Sequence, residues 1–111
     1  MMDDHERDET RREFAEAVNM TPKELEQWLE TPESQEVGQK EGDGESVGHA
    51  SGRRIVEILR TRKDDLGDDD FEHMRKVIGY VRRHLAQRPD SDVEHSRWRY
   101  SLMNWGHDPV K

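Results

Sequence analysis

Gly67-Asp68-Asp69-Asp70-Phe71-Glu72-His73-Met74-Arg75-Lys76-Val77-Ile78-Gly79-Tyr80-Val81-Arg82-Arg83-His84-Leu85-Ala86-Gln87-Arg88-Pro89 carries the clearest pattern in this chain of 111 residues. Phe71, Met74, Val77, Ile78, Val81 and Leu85 recur at a period of 3.6 and fall within a sector of roughly 100°. Three aspartates occupy the first turn and Arg82, Arg83 and Arg88 the C-terminal end, which is the arrangement the helix dipole favours. Gly67 can cap the start, with Leu66 and Phe71 as a hydrophobic staple, and Pro89 ends the run. The segment predicts a long amphipathic helix over 68–88.

Working toward the C-terminus, Pro89-Asp90-Ser91 makes a turn. Asp92 is placed to cap a last helix whose Trp98, Leu102 and Trp105 share one face, and Gly106 stops it. Working toward the N-terminus, a helix begins between Ser46 and Ser51 and runs to about Lys63, with Ile55, Ile58 and Leu59 as its stripe and Val56 at the edge. Gly48 and Gly52 lie on that stripe. Either they permit close backbone packing against a neighbour, or the helix starts only after Gly52. Residues 33–46, with Gly38, Gly42 and Gly44 among polar side chains, read as a flexible Gly-rich loop with only Val37 able to be buried. Before it, Thr21-Pro22-Lys23-Glu24 is a capping box with Pro at the first helical position. It starts a helix carrying Leu25, Trp28 and Leu29. Thr10 with Glu13 suggests an earlier cap for a helix bearing Phe14, Ala17 and Val18, so that 10–32 forms a helical hairpin. Residues 1–9 are polar and terminal, and disorder is expected there.

No stretch alternates with period two. The fold class is therefore all-α: a small single-domain bundle of four to five helices, 10–111, with a basic helical half over 47–111. Each stripe is too narrow to be buried alone, so Leu25, Trp28, Ile55, Leu59, Met74, Val77, Ile78, Val81, Leu85, Trp98, Leu102 and Trp105 are expected to share one core.

Composition narrows the function. Forty per cent of residues are charged and 30% hydrophobic, the formal net charge is −8, and there is no cysteine. The last point removes disulfides, thiol nucleophiles and thiolate metal sites. The longest aliphatic runs are pairs such as Ile55-Val56, far short of the ~20 residues that span a bilayer, and Met-Met-Asp-Asp-His-Glu does not read as a secretory signal. A cytoplasmic protein without a membrane partner is expected. The charge is uneven. Residues 1–49 hold five Lys and Arg against fifteen Asp and Glu, net −10, whereas residues 50–111 hold thirteen against eleven, net +2.

Three stretches resemble a known family: Glu45 to Leu59 (ESVGHASGRRIVEIL), His73 to Tyr80 (HMRKVIGY) and Trp98 to Pro109 (WRYSLMNWGHDP), together with Asn19 to Leu25 (NMTPKEL). They look like the small bacterial, archaeal and fungal proteins grouped as domain of unknown function 3140, and the likeness runs from about residue 13 through nearly the whole chain. The resemblance implies a stand-alone domain of this length. Of function it implies association with DNA, the label some members carry. It brings no catalytic residues.

Four candidate sites follow from the residues. The first is a phosphate-facing surface. Lys76 and Arg83 lie opposite the apolar stripe with Gly79 between them, Arg75 and Arg82 flank it two turns apart, Arg53, Arg54 and Arg60 extend it, and Arg97 and Arg99 adjoin. Such cations bind by neutralising phosphates without reading bases. Against this, Arg53–Glu57 and Glu72–Lys76 are i, i+4 pairs of an ordinary solvated face, and the sequence pI near 5.2 is low for a dedicated binder. The second is a helix-turn-helix over 13–30, whose recognition helix would present Glu24, Glu26 and Glu30 to phosphates and is disfavoured for that reason. The third is a metal or hydrolytic site among His5, His49, His73, His84, His95 and His107. Their spacing matches no ligand motif, with His49 and His107-Asp108 the best remaining pair. The fourth is base stacking by Trp98, Tyr100 and Trp105, which competes with their use in a thin core. The expectation is a non-enzymatic protein without cofactor or metal that associates with DNA in a non-sequence-specific way. The competing class is a protein-interaction or stress-associated accessory module that docks a protein partner on the acidic half or the 33–46 loop.

Overall fold

Why the chain folds as it does is clearest at the helix starts, each of which has a side chain suited to its free amides. The computed structural model describes residues 2–37 and 45–111, and among these it contains six α-helices and no strand. They are α1 (Asp4–Ala17), α2 (Pro22–Leu29), α3 (Pro32–Glu36), α4 (Val47–Arg60), α5 (Asp68–Leu85) and α6 (Arg97–Asn104). The Thr21 and Glu24 capping box is formed, with Glu24 N–H donating to Thr21 Oγ1 at 3.1 Å and Thr21 N–H to Glu24 Oε1 at 2.9 Å. Ser46 caps α4, accepting from His49 N–H. At α5 the Asp70 carboxylate accepts from Gly67 N–H at 2.9 Å, and Leu66 and Phe71 are both buried.

α1 packs along α5, α2 packs on α4, and α6 closes the bundle against α2, α3, α4 and α5. Phe14, Leu25, Leu29, Ile55, Ile58, Phe71, Met74, Val77, Ile78, Val81, Trp98, Leu102 and Trp105 form one continuous core, with Trp28 and Leu59 half-buried against it. Both open questions about Gly48 and Gly52 resolve toward close packing. α4 begins before them, and a Cβ at Gly52 would stand 2.6 Å from the Asn104 carbonyl oxygen and 2.7 Å from Leu29 Cδ2. Beside them the fully buried Asn104 ties three helices together. Its Oδ1 accepts from Trp28 Nε1–H (2.7 Å) and Ser34 Oγ–H (2.5 Å), and its Nδ2–H donates to the Ser34 carbonyl (3.0 Å).

Six expectations need correction. Residues 4–9 are helical because Asp3 caps α1 and the Arg7 guanidinium lies 5.0 Å over the Phe71 ring while bonding Asp68 at 2.6 Å. Thr10 is therefore inside α1 and buried. α1 and α2 do not form a hairpin, since each spends its apolar face on a different partner. Residues 32–36 form α3, and the expected loop buries Ser34 and Ser46 as well as Val37; the rest of that loop, 38–44, lies outside the described residues. Ser96, not Asp92, caps α6, and Asp92 instead starts a short 3-10 turn over Val93–His95. Leu85, the last residue of α5 and one turn beyond its last buried position, Val81, is 38% exposed.

Candidate nucleic-acid interface

Placing Arg and Lys on a helix fixes their spacing; whether they can meet a ligand depends on what already meets them. Of the seven predicted phosphate contacts, the three on α4 are held by carboxylates of the same chain. Arg53 donates to Glu45 Oε2 through Nε at 2.9 Å and to Oε1 through Nη2 at 2.5 Å. These bonds, with a smaller contribution from His49, hold the Glu45 carboxyl below its usual range. Arg54 donates to Asp70 Oδ1 at 2.8 Å. The Gly67 N–H bond and then Arg54 hold the Asp70 carboxyl low, although burial works the other way. Arg60 pairs with Glu26 across the α2–α4 contact.

The other four lie on α5. Arg75 Nη2 stands 3.4 Å from Glu6 Oε2 and Arg82 Nη2 3.7 Å from Glu13 Oε1, both carboxylates belonging to α1. Lys76 and Arg83 are exposed and meet no carboxylate within ion-pair distance among the described residues. They are not bare, however. Lys76 shares a cavity of about 390 Å³ with Arg54, Asp69, Glu72 and His73. Arg83 folds back over Gly79, its Nη1 3.2 Å from where a Cβ would sit. The strip is thus partly filled by its own guanidinium. Arg88, which sequence reasoning used only as a dipole complement, adjoins this end and lies 5.6 Å over the Trp98 ring. Arg97 likewise has no ion pair among the described residues, whereas Arg99 is committed to Asp108 through two bonds of 3.1 Å.

Helical spacing puts Arg75, Lys76, Arg82 and Arg83 on α5, but the sequence could not foresee which carboxylates would reach them. Glu6 was missed because its segment was expected to be disordered. The only available signal was the seven-residue spacing shared by Glu6 and Glu13 with Arg75 and Arg82.

The remaining candidates meet structural partners. His73, Trp105, Tyr80, His84 and Trp98 form a run of nearly parallel rings, with successive centroids 6.3, 4.2, 5.0 and 6.4 Å apart and interplanar angles of 10°, 13°, 19° and 14°. The faces of the two tryptophans are therefore occupied by their neighbours, which removes the platform a base would need. Tyr100 leans on Trp28 at 5.4 Å. His107 donates through Nδ1 to the Ala17 carbonyl at 2.7 Å, and His49 bonds the Leu29 carbonyl at 2.7 Å and the Glu45 carboxylate. Ser51 Oγ is 3.0 Å from His73 Nε2, but Ser51 sits inside α4, where its amide and its neighbours' amides are spent in the helix and cannot hold an oxyanion. Among the described residues no group of three or more His, Asp or Glu side chains is arranged to hold a metal ion. Among the described residues no helix is long and apolar enough to cross a membrane.

Comparison with curated proteins and with solved structures gives no match. A family profile described as "Protein of unknown function (DUF3140)" matches residues 13–103, from the C-terminal part of α1 almost to the end of α6. By that match over most of its length, and in agreement with the resemblance read from its motifs, the chain belongs to the DUF3140 family.

Proposed function

We propose that this protein is a non-enzymatic, cytoplasmic DNA-binding protein that contacts the phosphate backbone of duplex DNA through the outer face of α5 and does not read bases. The observation carrying this reading is that Lys76 and Arg83, seven residues apart on that face, are exposed and have no ion-pair partner among the described residues. Arg75 and Arg82 lie beside them, and Arg88 beyond. Arg53, Arg54 and Arg60 drop to a supporting, structural part in this proposal, since each already holds a carboxylate. Duplex is favoured over single strands because the tryptophan faces are spent within the fold.

A second reading, a protein-interaction or accessory module, draws on a specific observation as well: five of the seven expected cations are paired with carboxylates of their own chain, whose formal net charge is −8. Such a surface suits a basic protein partner. Fluorescence anisotropy of a labelled 20-base-pair duplex, titrated at two salt concentrations, separates the two. Binding that weakens with salt and is lost in Lys76→Glu/Arg83→Glu, with the helical CD spectrum unchanged, supports DNA. No binding by the intact protein at low salt overturns it in favour of the module.

A further inference from the structure

Resting on that phosphate-binding reading, we infer that α1 is a built-in phosphate mimic, its Glu6 and Glu13 carboxylates occupying half of the α5 face until DNA displaces them. Glu6 and Glu13 are seven residues apart, as are Arg75 and Arg82, and they pair in the same order, so the two helices run in the same direction with matched charges. Two helical turns separate the members of each set by about 10.5 Å. Glu9 and Glu16 continue the same edge of α1, at i+3 and i+10 from Glu6, which makes it a stripe of carboxylates beside a stripe of guanidinium groups. Arg75/Lys76 and Arg82/Arg83 are thereby two cation pairs, each with one member masked and one open.

Geometry makes the mask removable without unfolding. Both ion pairs are long, at 3.4 and 3.7 Å, and all four side chains are substantially exposed, between 32% and 62%. α1 itself is held by other residues: Thr10, Phe14 and Ala17 are buried against the core, and Arg7 is bonded to Asp68. The carboxylates can therefore swing aside while the helix stays in place. A phosphate brings a full charge and several acceptor oxygens to the guanidinium, and its arrival also releases a condensed counterion, a gain that the internal carboxylate cannot supply. Glu6 lies outside the matched span of the family, 13–103, so half of the mask belongs to the part of the chain beyond it.

The test is an anisotropy titration of the same duplex with the full chain and with Glu6→Gln/Glu13→Gln, across salt. DNA contacts the same phosphates in both proteins but in the variant no longer has to break two exposed ion pairs, so the salt slope should change little and affinity at 0.1 M salt should rise by up to ~30-fold. Glu30→Gln/Glu33→Gln changes the net charge equally at a distance from α5 and should give far less of this rise in affinity. Adding Arg75→Gln/Arg82→Gln to the unmasked variant should erase the gain. Binding by the intact chain that Glu6→Gln/Glu13→Gln tightens no more than Glu30→Gln/Glu33→Gln does overturns the mask while leaving the DNA reading standing. Binding only by the unmasked variant overturns displacement by DNA and, with it, the DNA reading of the intact chain. No binding by either overturns both.

Discussion

Gly52→Ala and Gly79→Ala make the same chemical change inside two helices and should have opposite effects. In each case a methyl replaces a hydrogen at a helix-interior position, α4 for Gly52 and α5 for Gly79. Each gains the ~1 kcal/mol by which alanine outperforms glycine in a helix. What differs is the space that receives the methyl. At Gly79 the new carbon, apart from its own helix backbone, meets within 4 Å among the described residues only Arg83 Nη1, at 3.2 Å, the far end of a flexible and exposed side chain that can move away. The full propensity gain of about 0.5–1 kcal/mol should survive, which raises Tm by roughly 2–8 °C for a domain of this size. At Gly52 the methyl would meet the Asn104 carbonyl oxygen at 2.6 Å and Leu29 Cδ2 at 2.7 Å. The first is backbone and cannot rotate away, so α6 must move off α4. That shift also strains the Asn104 bonds to Trp28 and Ser34. Overpacking of this kind costs about 1–3 kcal/mol, occasionally more, and outweighs the propensity term. Thermal unfolding followed by CD at 222 nm, with urea titration for the free energies, reads both. A Gly52→Ala protein as stable as the parent, or equal shifts in the two variants, would refute the claim that α4 and α6 touch through Gly52.

Other outcomes follow from the same packing. Trp105→Ala should cost about 3–5 kcal/mol in urea unfolding because the ring is buried between Tyr80 and His73, whereas Leu85→Ala should cost well under half as much because its side chain is partly exposed at the end of α5; an equal loss at Leu85 would contradict its exposure. Burial, joined for His73 by the nearby Arg54 and Lys76 charges, holds the His73 and His84 imidazoles below the usual histidine pKa. Between that usual value of ~6.5 and the lower folded values, the unfolded chain binds more protons, so stability is fully present above ~6.5 and declines as pH falls through the window. The urea midpoint should drop between pH 7.5 and 5.5, and by less in His73→Asn/His84→Asn; an undiminished drop in that variant would assign the effect elsewhere. Lys76→Glu/Arg83→Glu should abolish salt-sensitive duplex binding with the fold intact, as both side chains point away from the core.

Periodicity and caps are local properties, and they were legible. The 3.6-residue stripe of α5, the Thr21–Glu24 box of α2 and the aromatic spacing of α6 each depend on residues within a turn or two of one another, so the order of amino acids determined these elements and the all-α class. The choice among partners for those elements is not local. Nothing near Gly48 and Gly52 in the chain says whether a second helix will press against them; Asn104, over fifty residues away, decides it. Nor does any short-range pattern separate a terminal acidic segment that stays disordered from one that Arg7, Phe71 and Asp68 hold as helix. The basic strip shows the same division. Sequence determined that Arg75, Lys76, Arg82 and Arg83 would sit one and two turns apart on one helix, because helical rise and rotation are fixed. Only the tertiary structure decided which of them stay open, because an ion pair forms where the fold brings a carboxylate within reach, and Glu6, Glu13, Glu26 and Glu45 reach their arginines from other parts of the chain.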